Sequence, residues 1–304
     1  MATLKVVTNP TAIPVFAAGT DSGISGTILI KSYREFTSVI GSFDPKKTLH
    51  VAIRTYFENG GGLCYIVRIE DLAADVEKLE DVTILVAAGQ DILAQVEQLC
   101  QSKSGLFAIL DGPTGELTTE NLARLPTIPD AAVYYPWLIA PWTALPIPPS
   151  AAIAGVYCSV DKTRGVWASP VGMKLQGGVR PNRKVSTSLS VDEFINPIVE
   201  FDPNTDAMVW GSHTRTLVDT PMRSHVSVRR TFNTIRRDIG YMLNCLIFRP
   251  NNSETWQEAS SAINNYLLNI LNHSGLKGDT AQEAFFIHVG EDIPMSNEVL
   301  QKDG

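Results

Sequence analysis

From residue 19 to about 180, short apolar runs alternate with segments whose apolar residues recur every three or four positions. The runs at 27–31, 63–67, 82–87, 106–110, 131–137 and 151–158 have the length and composition of strands. Between them, Tyr33, Phe36 and Ile40 predict a helix over 33–40, which Ser32 caps because its hydroxyl can take a free first-turn N–H. Leu49, Ile53, Tyr56 and Phe57 predict a second helix over 49–59, stopped by a tight turn at Gly60-Gly61-Gly62, and a third covers 91–100. Such alternation predicts an α/β layer around a largely parallel sheet. Residues 1–18 read as an extended N-terminal segment. Pro10 and Pro14 exclude a helix there and place it at a sheet edge or outside the sheet.

Beyond about residue 180 the pattern changes. Gly177-Gly178, Pro181 and the polar stretch to Ser190 predict a linker, and short strands follow at 197–201 and 207–210. The longest helical pattern covers 225–248. It sets Val228, Phe232, Ile235, Ile239, Met242, Leu243 and Leu246 on an inward stripe, with Arg229, Arg230, Arg236 and Arg237 off it. A helix over 254–272 follows, with Ser253 as its cap and Trp256, Ile263, Leu267, Ile270 and Leu271 inward, and then a strand over 284–289. The predicted fold is therefore an α/β domain over 19–180 followed by an α+β domain over 185–304.

Length agrees with two units, since 304 residues exceed the roughly 250–300 that one hydrophobic core usually serves. Apolar residues make up 44% and charged residues 19%, which fits a folded globular protein and not a disordered one. A net charge of −7 argues against wholesale electrostatic binding to nucleic acid or an anionic membrane. No membrane insertion is expected, and the first ten residues have no signal-peptide pattern, so a chain made in the cytoplasm is expected. Cys64, Cys100, Cys158 and Cys245 stand apart in apolar stretches and read as buried free thiols.

Few residues suggest chemistry. The histidines His50, His213, His225, His273 and His288 lack metal-ligand spacing, and no G-x-S-x-G elbow is found, so no metal or cofactor is expected. Gly275-Leu-Lys-Gly-Asp-Thr280 lacks the order of a phosphate loop and reads as a helix end. Asp111 and Asp161 end apolar runs, where α/β enzymes place carboxylates, although turn and cap roles are commoner for such residues. One feature is strongly biased. Between Met222 and Arg249, the arginines Arg223, Arg229, Arg230, Arg236, Arg237 and Arg249 face a single acid, Asp238. This is either a solvated face with internal carboxylate pairs or a surface for an acidic protein partner.

Several segments, in order, resemble one family. They are Thr11-Ala-Ile-Pro-Val-Phe16, Phe57-Glu-Asn-Gly-Gly-Gly62, Leu110-Asp-Gly-Pro113, Ala131-Ala-Val-Tyr-Tyr-Pro-Trp137, Pro149-Ser-Ala-Ala-Ile-Ala-Gly-Val-Tyr157 and Asp161-Lys-Thr-Arg-Gly-Val-Trp-Ala-Ser-Pro170. Further on come Val209-Trp-Gly-Ser-His-Thr-Arg-Thr-Leu217, Val226-Ser-Val-Arg-Arg-Thr-Phe232, Phe248-Arg-Pro-Asn-Asn252 with Trp256, and Gly275-Leu-Lys-Gly278 ahead of Glu283-Ala-Phe285. Together they resemble the contractile tail sheath family of phage tails, R-type pyocins and extracellular contractile injection systems, the last most closely.

The resemblance implies a non-enzymatic shell with a subtilisin-like outer α/β domain and an inner, tube-facing C-terminal domain. Its subunits would stack as hexameric rings around an inner tube and contract to drive that tube through a target envelope. The implied partners are copies of the chain, the inner tube protein, and baseplate and tail terminator proteins, within a phage tail or released particle. Arg229, Arg230, Arg236, Arg237 and Arg249 become candidates for tube or subunit contacts, with Arg229 and Arg230 equally readable as internal anchors. The family's Pro-Gly-Val-Tyr start and Ala-Pro-x-x-Pro-Ala-Glu-Phe tail, which neighbours exchange by strand addition, are not found in this sequence. The polypeptide alone is therefore expected to be monomeric or weakly associated. The competing readings are an α/β hydrolase-like enzyme using Asp111 or Asp161, and a minor sheath-like adaptor at a baseplate or tail end.

Overall fold

The computed structural model describes residues 9–103, 105–125, 127–189, 193–216 and 224–290. The strands are β1 (Pro14–Ala18), β2 (Ile28–Ile30), β3 (Cys64–Arg68), β4 (Ile84–Val86), β5 (Phe107–Asp111), β6 (Ala131–Tyr135), β7 (Leu138–Ala140), β8 (Thr143–Ile147), β9 (Arg180–Pro181), β10 (Ile195–Val199) and β11 (Met208–Val209). The helices are α1 (Tyr33–Val39), α2 (Thr48–Glu58), α3 (Leu72–Val76), α4 (Leu93–Ser102), α5 (Thr119–Ala123), α6 (Pro149–Arg164), α7 (Val226–Asn244), α8 (Ser253–Asn272) and α9 (Ala281–Ala284).

Among the described residues the main sheet has the order β11-β10-β6-β5-β4-β1-β3-β2, and a small sheet has the order β8-β7-β9. In the main sheet β1 pairs in parallel with both β3 and β4, and the parallel run continues through β5, β6 and β10. The outermost strands, β2 and β11, are antiparallel. Alternate residues of β1 serve two cores. Phe16 and Ala18 pack with Tyr56 of α2 and Tyr157 of α6, while Val15 and Ala17 pack with Val76 of α3 and Val96 of α4. A sheet buried on both faces explains why its strands read as continuous apolar runs.

Three expectations about this region are corrected. Pro14 does not put β1 at an edge: the strand is interior, and Pro14 is its first residue, where a missing N–H breaks no ladder. The run at 151–158 is helix, with Pro149 in the first turn of α6. Nearly the whole surface of that helix is buried, so no polar stripe marks its period. Gly155 lets α6 approach α2, since a Cβ there would lie 2.4 Å from the Tyr56 carbonyl oxygen. Asp161 consequently lies in α6 and not at the end of a strand.

The chain forms two compact units, one of Pro10–Thr234 and one of Met1–Asn9 with Ile235–Gly304. The division falls inside α7 and not near residue 180, because β9 joins the small sheet and β10 joins the main one. The stretch from Gly177 to Leu189 thus lies within one unit. We call these the sheet unit and the helical unit. In the helical unit α8 packs Ala259, Ala262, Ile263, Tyr266, Leu267 and Ile270 inward, and Asn252, not Ser253, caps it by accepting from Thr255 N at 3.0 Å. The strand expected at 284–289 is the end of α9 followed by a stretch that forms no strand among the described residues. Cys64 and Cys158 are buried thiols as expected, but Cys100 is half-buried and Cys245 exposed.

Candidate functional site

The arginine-rich helix α7 departs from the expected amphipathic pattern in its first two turns, although Met242, on the expected inward stripe, is buried. Within the sheet unit its Val228 and Phe232 are exposed, at 43% and 57%, while Arg230, Thr231 and Asn233 are buried. Within the helical unit Arg237, Asp238 and Met242 are buried, and Arg236 and Tyr241 are exposed. Buried polar groups must be paired to be tolerated, and these are.

In the sheet unit, Arg229 donates from Nε and Nη2 to the two carboxylate oxygens of Asp130 at 2.6 Å each. Asn233, one turn on, donates to the same carboxylate at 2.7 Å and to the Leu106 carbonyl at 3.1 Å. Arg230 is 5% exposed. It grips Asp161 at 2.8 and 2.7 Å and the Thr11 carbonyl at 3.1 Å, with its guanidinium 4.6 Å from the centre of the Tyr157 ring. Thr11 Oγ1 completes the knot by donating to Asp161 at 2.5 Å. Burial opposes the Arg230 charge, but the Asp161 carboxylate outweighs it and raises the pKa above the ordinary arginine value. Planar, two-point pairing of this kind suits arginine and not lysine.

In the helical unit, Arg237 donates to the adjacent Asp238 at 3.2 and 3.1 Å. Asp238 also accepts from Asn9 at 3.1 Å and from the Tyr266 hydroxyl at 2.9 Å. Burial first, and then the Asp238 charge, push the Tyr266 pKa well up. Arg249 pairs with Glu258. Four of the expected contact residues, Arg229, Arg230, Arg237 and Arg249, therefore have internal carboxylate partners. Arg236 is exposed and makes no ion pair with any described residue. Arg223 lies outside the described residues.

The strand-end carboxylate Asp111 is enclosed differently. Its oxygens accept from Gly89 N at 2.8 Å, Ser150 N at 2.7 Å and Ser150 Oγ at 2.9 Å. Burial pushes its pKa up to about 6 against the pull of those hydrogen bonds. Ser150 Oγ in turn accepts from Ala88 N at 2.9 Å, so Asp111 and Ser150 fasten the β4–α4 turn to the start of α6. A cleft of about 320 Å³ lies alongside, lined by Gln90, Asp91, Thr114, Asn121, Arg124 and Trp137. Asp111 also lines it, but the Ser150 hydroxyl paired with that carboxylate is fully buried and held by Ala88 N. Among the described residues, no group of three or more His, Cys, Asp or Glu is placed to hold a metal ion. Residue spacing identified the arginines but neither Asp130 nor Thr11, whose roles depend on partners about 100 and 219 positions away.

No family model matches the sequence, and no curated protein matches it. Solved structures do. The sheath of an extracellular contractile injection system, PVC, in its contracted state is 41% identical, with a TM-score of 0.91. The similarity covers 100% of this chain and 89% of that one. A chain of the contracted helical sheath of the anti-feeding prophage is 31% identical over 98% of this chain and 88% of that one, at a TM-score of 0.80. A chain of the contracted anti-feeding prophage baseplate is 30% identical over 99% and 89%, at 0.86.

Proposed function

The chain belongs to the contractile sheath family and is a structural sheath subunit, and from that premise we propose that it stacks in hexameric rings around an inner tube and contracts to drive the tube forward. The observation that carries this reading is the end-to-end match to a sheath subunit at 41% identity. On the same reading the chain is not an enzyme, and the two-faced parallel sheet is a subtilisin-like scaffold without catalysis. Asp111 and Asp161 support this, because internal donors occupy both carboxylates.

Two features of the helical unit support assembly. Arg236 offers an unpaired guanidinium for an acidic partner, which we take to be the tube. The stretch Phe285 to Val289 lies outside any helix or strand, with Phe286 and His288 exposed and Phe285, Ile287 and Val289 half-buried. That two-residue alternation suits addition of a strand from a neighbouring subunit. A minor role at the baseplate is the second reading, favoured by the equally complete match to the baseplate-associated chain.

Arg236→Glu tests the tube contact. It is expected to leave the melting temperature unchanged and to weaken co-sedimentation with tube about tenfold in low salt, a difference that shrinks as salt screens the charge. Unaltered co-sedimentation at every salt concentration would exclude Arg236 from the contact. Arg237 is unsuitable for this test, because a glutamate there would crowd the buried Asp238.

A further inference from the structure

At the β11 end of the main sheet lies an exposed pair of aromatic rings. Phe201, in the β10–β11 connection, and Trp210, directly after β11, meet edge to face with centroids 4.9 Å apart. Phe201 is nonetheless 58% exposed and Trp210 38%. Ile139 and Val171 add exposed aliphatic surface. Ile139 is the cross-strand partner of Arg180 in the small sheet, so the two side chains share a face. Arg180 reaches Glu200 at 3.3 Å and also bonds the Pro203 carbonyl, which brings that face to Phe201. Val171 is joined from the other side, where Gly172 N donates to the Val209 carbonyl at 2.8 Å, next to Trp210.

Rigid aromatic rings with aliphatic neighbours and an arginine match the centre of a protein interface better than a solvated surface. The rim carries both signs, with Arg180 against Glu200 and Lys174 within 3.8 Å of Asp206. Such a rim selects neither a strongly acidic nor a strongly basic partner, but it can meet its opposite on a copy of itself. The similar structures are themselves sheath assemblies, one of them helical. We infer that the Ile139–Arg180–Phe201–Trp210–Val171 patch is a self-contact, covered by a second copy of this chain in the assembled sheath. The inference rests on the sheath reading above and adds a subunit contact in the sheet unit that neither Arg236 nor the 285–289 stretch supplies.

The test compares the full chain with its Ile139→Ser, Phe201→Ser variant, in the presence of tube protein and in its absence. Both positions are exposed, so the variant is expected to melt like the wild type. Sheath formed on tube, counted by negative-stain microscopy, should fall at least tenfold. In wild-type sheath, hydroxyl-radical oxidation of Trp210 should drop several-fold relative to the dispersed chain. Wild-type yield from the variant, or equal oxidation of Trp210 in both states, overturns the inference and leaves the sheath reading standing. Protection of Trp210 by tube alone, at concentrations where the chain is monomeric, also overturns it. If the wild-type chain forms no sheath, the sheath reading fails and sedimentation equilibrium decides the patch. Self-association that the double variant loses supports the self-contact, and a wild-type chain that stays monomeric at millimolar concentration refutes it.

Discussion

The sheet unit and the helical unit each bury a salt bridge on α7, but they surround it differently. Arg230 and Asp161 lie beside the fully buried Tyr157, whose hydroxyl is 2.9 Å from that of the equally buried Tyr134. Arg237 and Asp238 lie in a thinner setting. The buried apolar side chains of the helical unit, from Met242 to Ile270, all keep a little exposure, and Phe248 and Phe286 are almost wholly open at 97% and 93%. The two pairs are themselves equally buried, with side chains 6% and 5% exposed in one and 7% and 3% in the other, so the difference lies in the residues around them. Both units expose apolar side chains, but only the sheet unit also has a core of fully buried ones.

The largest effect expected from this comparison is that of Arg230→Met, which leaves the buried Asp161 carboxylate without its cation and with the Thr11 hydroxyl as its remaining described donor. It should cost about 3–5 kcal/mol of folding stability, and adding Asp161→Leu should restore most of the loss. Arg237→Met should cost less, about 1–3 kcal/mol, because Tyr266 and Asn9 still donate to Asp238. Urea titration of the three variants checks the order, and equal losses at Arg230 and Arg237 would erase the distinction between the units.

Next in size is a pH effect confined to the sheet unit. The folded-state pKa of Asp111, pushed up to about 6 by burial, lies above the ordinary carboxylate value near 4. The folded chain therefore holds this proton more tightly than the unfolded chain. The resulting stability is complete below about pH 4 and is lost as the pH rises through about 6, amounting to about 3 kcal/mol in all. Melting temperatures from pH 4 to 7 should show this slope in the wild type and lose it in Asp111→Asn. A slope that persists in the variant belongs to another group.

The smallest effect is expected where the helical unit is most open. Phe248→Ser should change the stability of the isolated chain by no more than about 0.5 kcal/mol, because its ring buries almost nothing. A larger loss, read by the same urea titration, would mean that this unit closes over Phe248 in solution.

Much of the sheet unit was legible in the sequence. The runs that became β3, β4 and β5 are apolar throughout because both faces of the sheet are covered, and Ser32 caps α1 as its position suggests, accepting from Glu35 N at 3.2 Å. The same property concealed α6, since a helix buried on nearly all sides shows no more period than a buried strand. Pro14 misled because proline is excluded only where the ladder needs its N–H, and the start of a strand does not. The arginines were conspicuous by number, but which of them face outward depended on Asp130, Asp161 and Glu258, and nothing local reveals those pairings.

Local order, by itself, determined the strand–helix alternation, the parallel sheet and the family resemblance, because these depend on the period of apolar residues and on short motifs. Tertiary structure decided the orientation of α7. An amphipathic stripe predicts which face of a helix prefers burial, but the preference of Val228 and Phe232 was outweighed where Arg230 and Asn233 each met buried acceptors. Those acceptors come from Asp161, Asp130 and the Leu106 carbonyl, which only folding brings within reach of the helix.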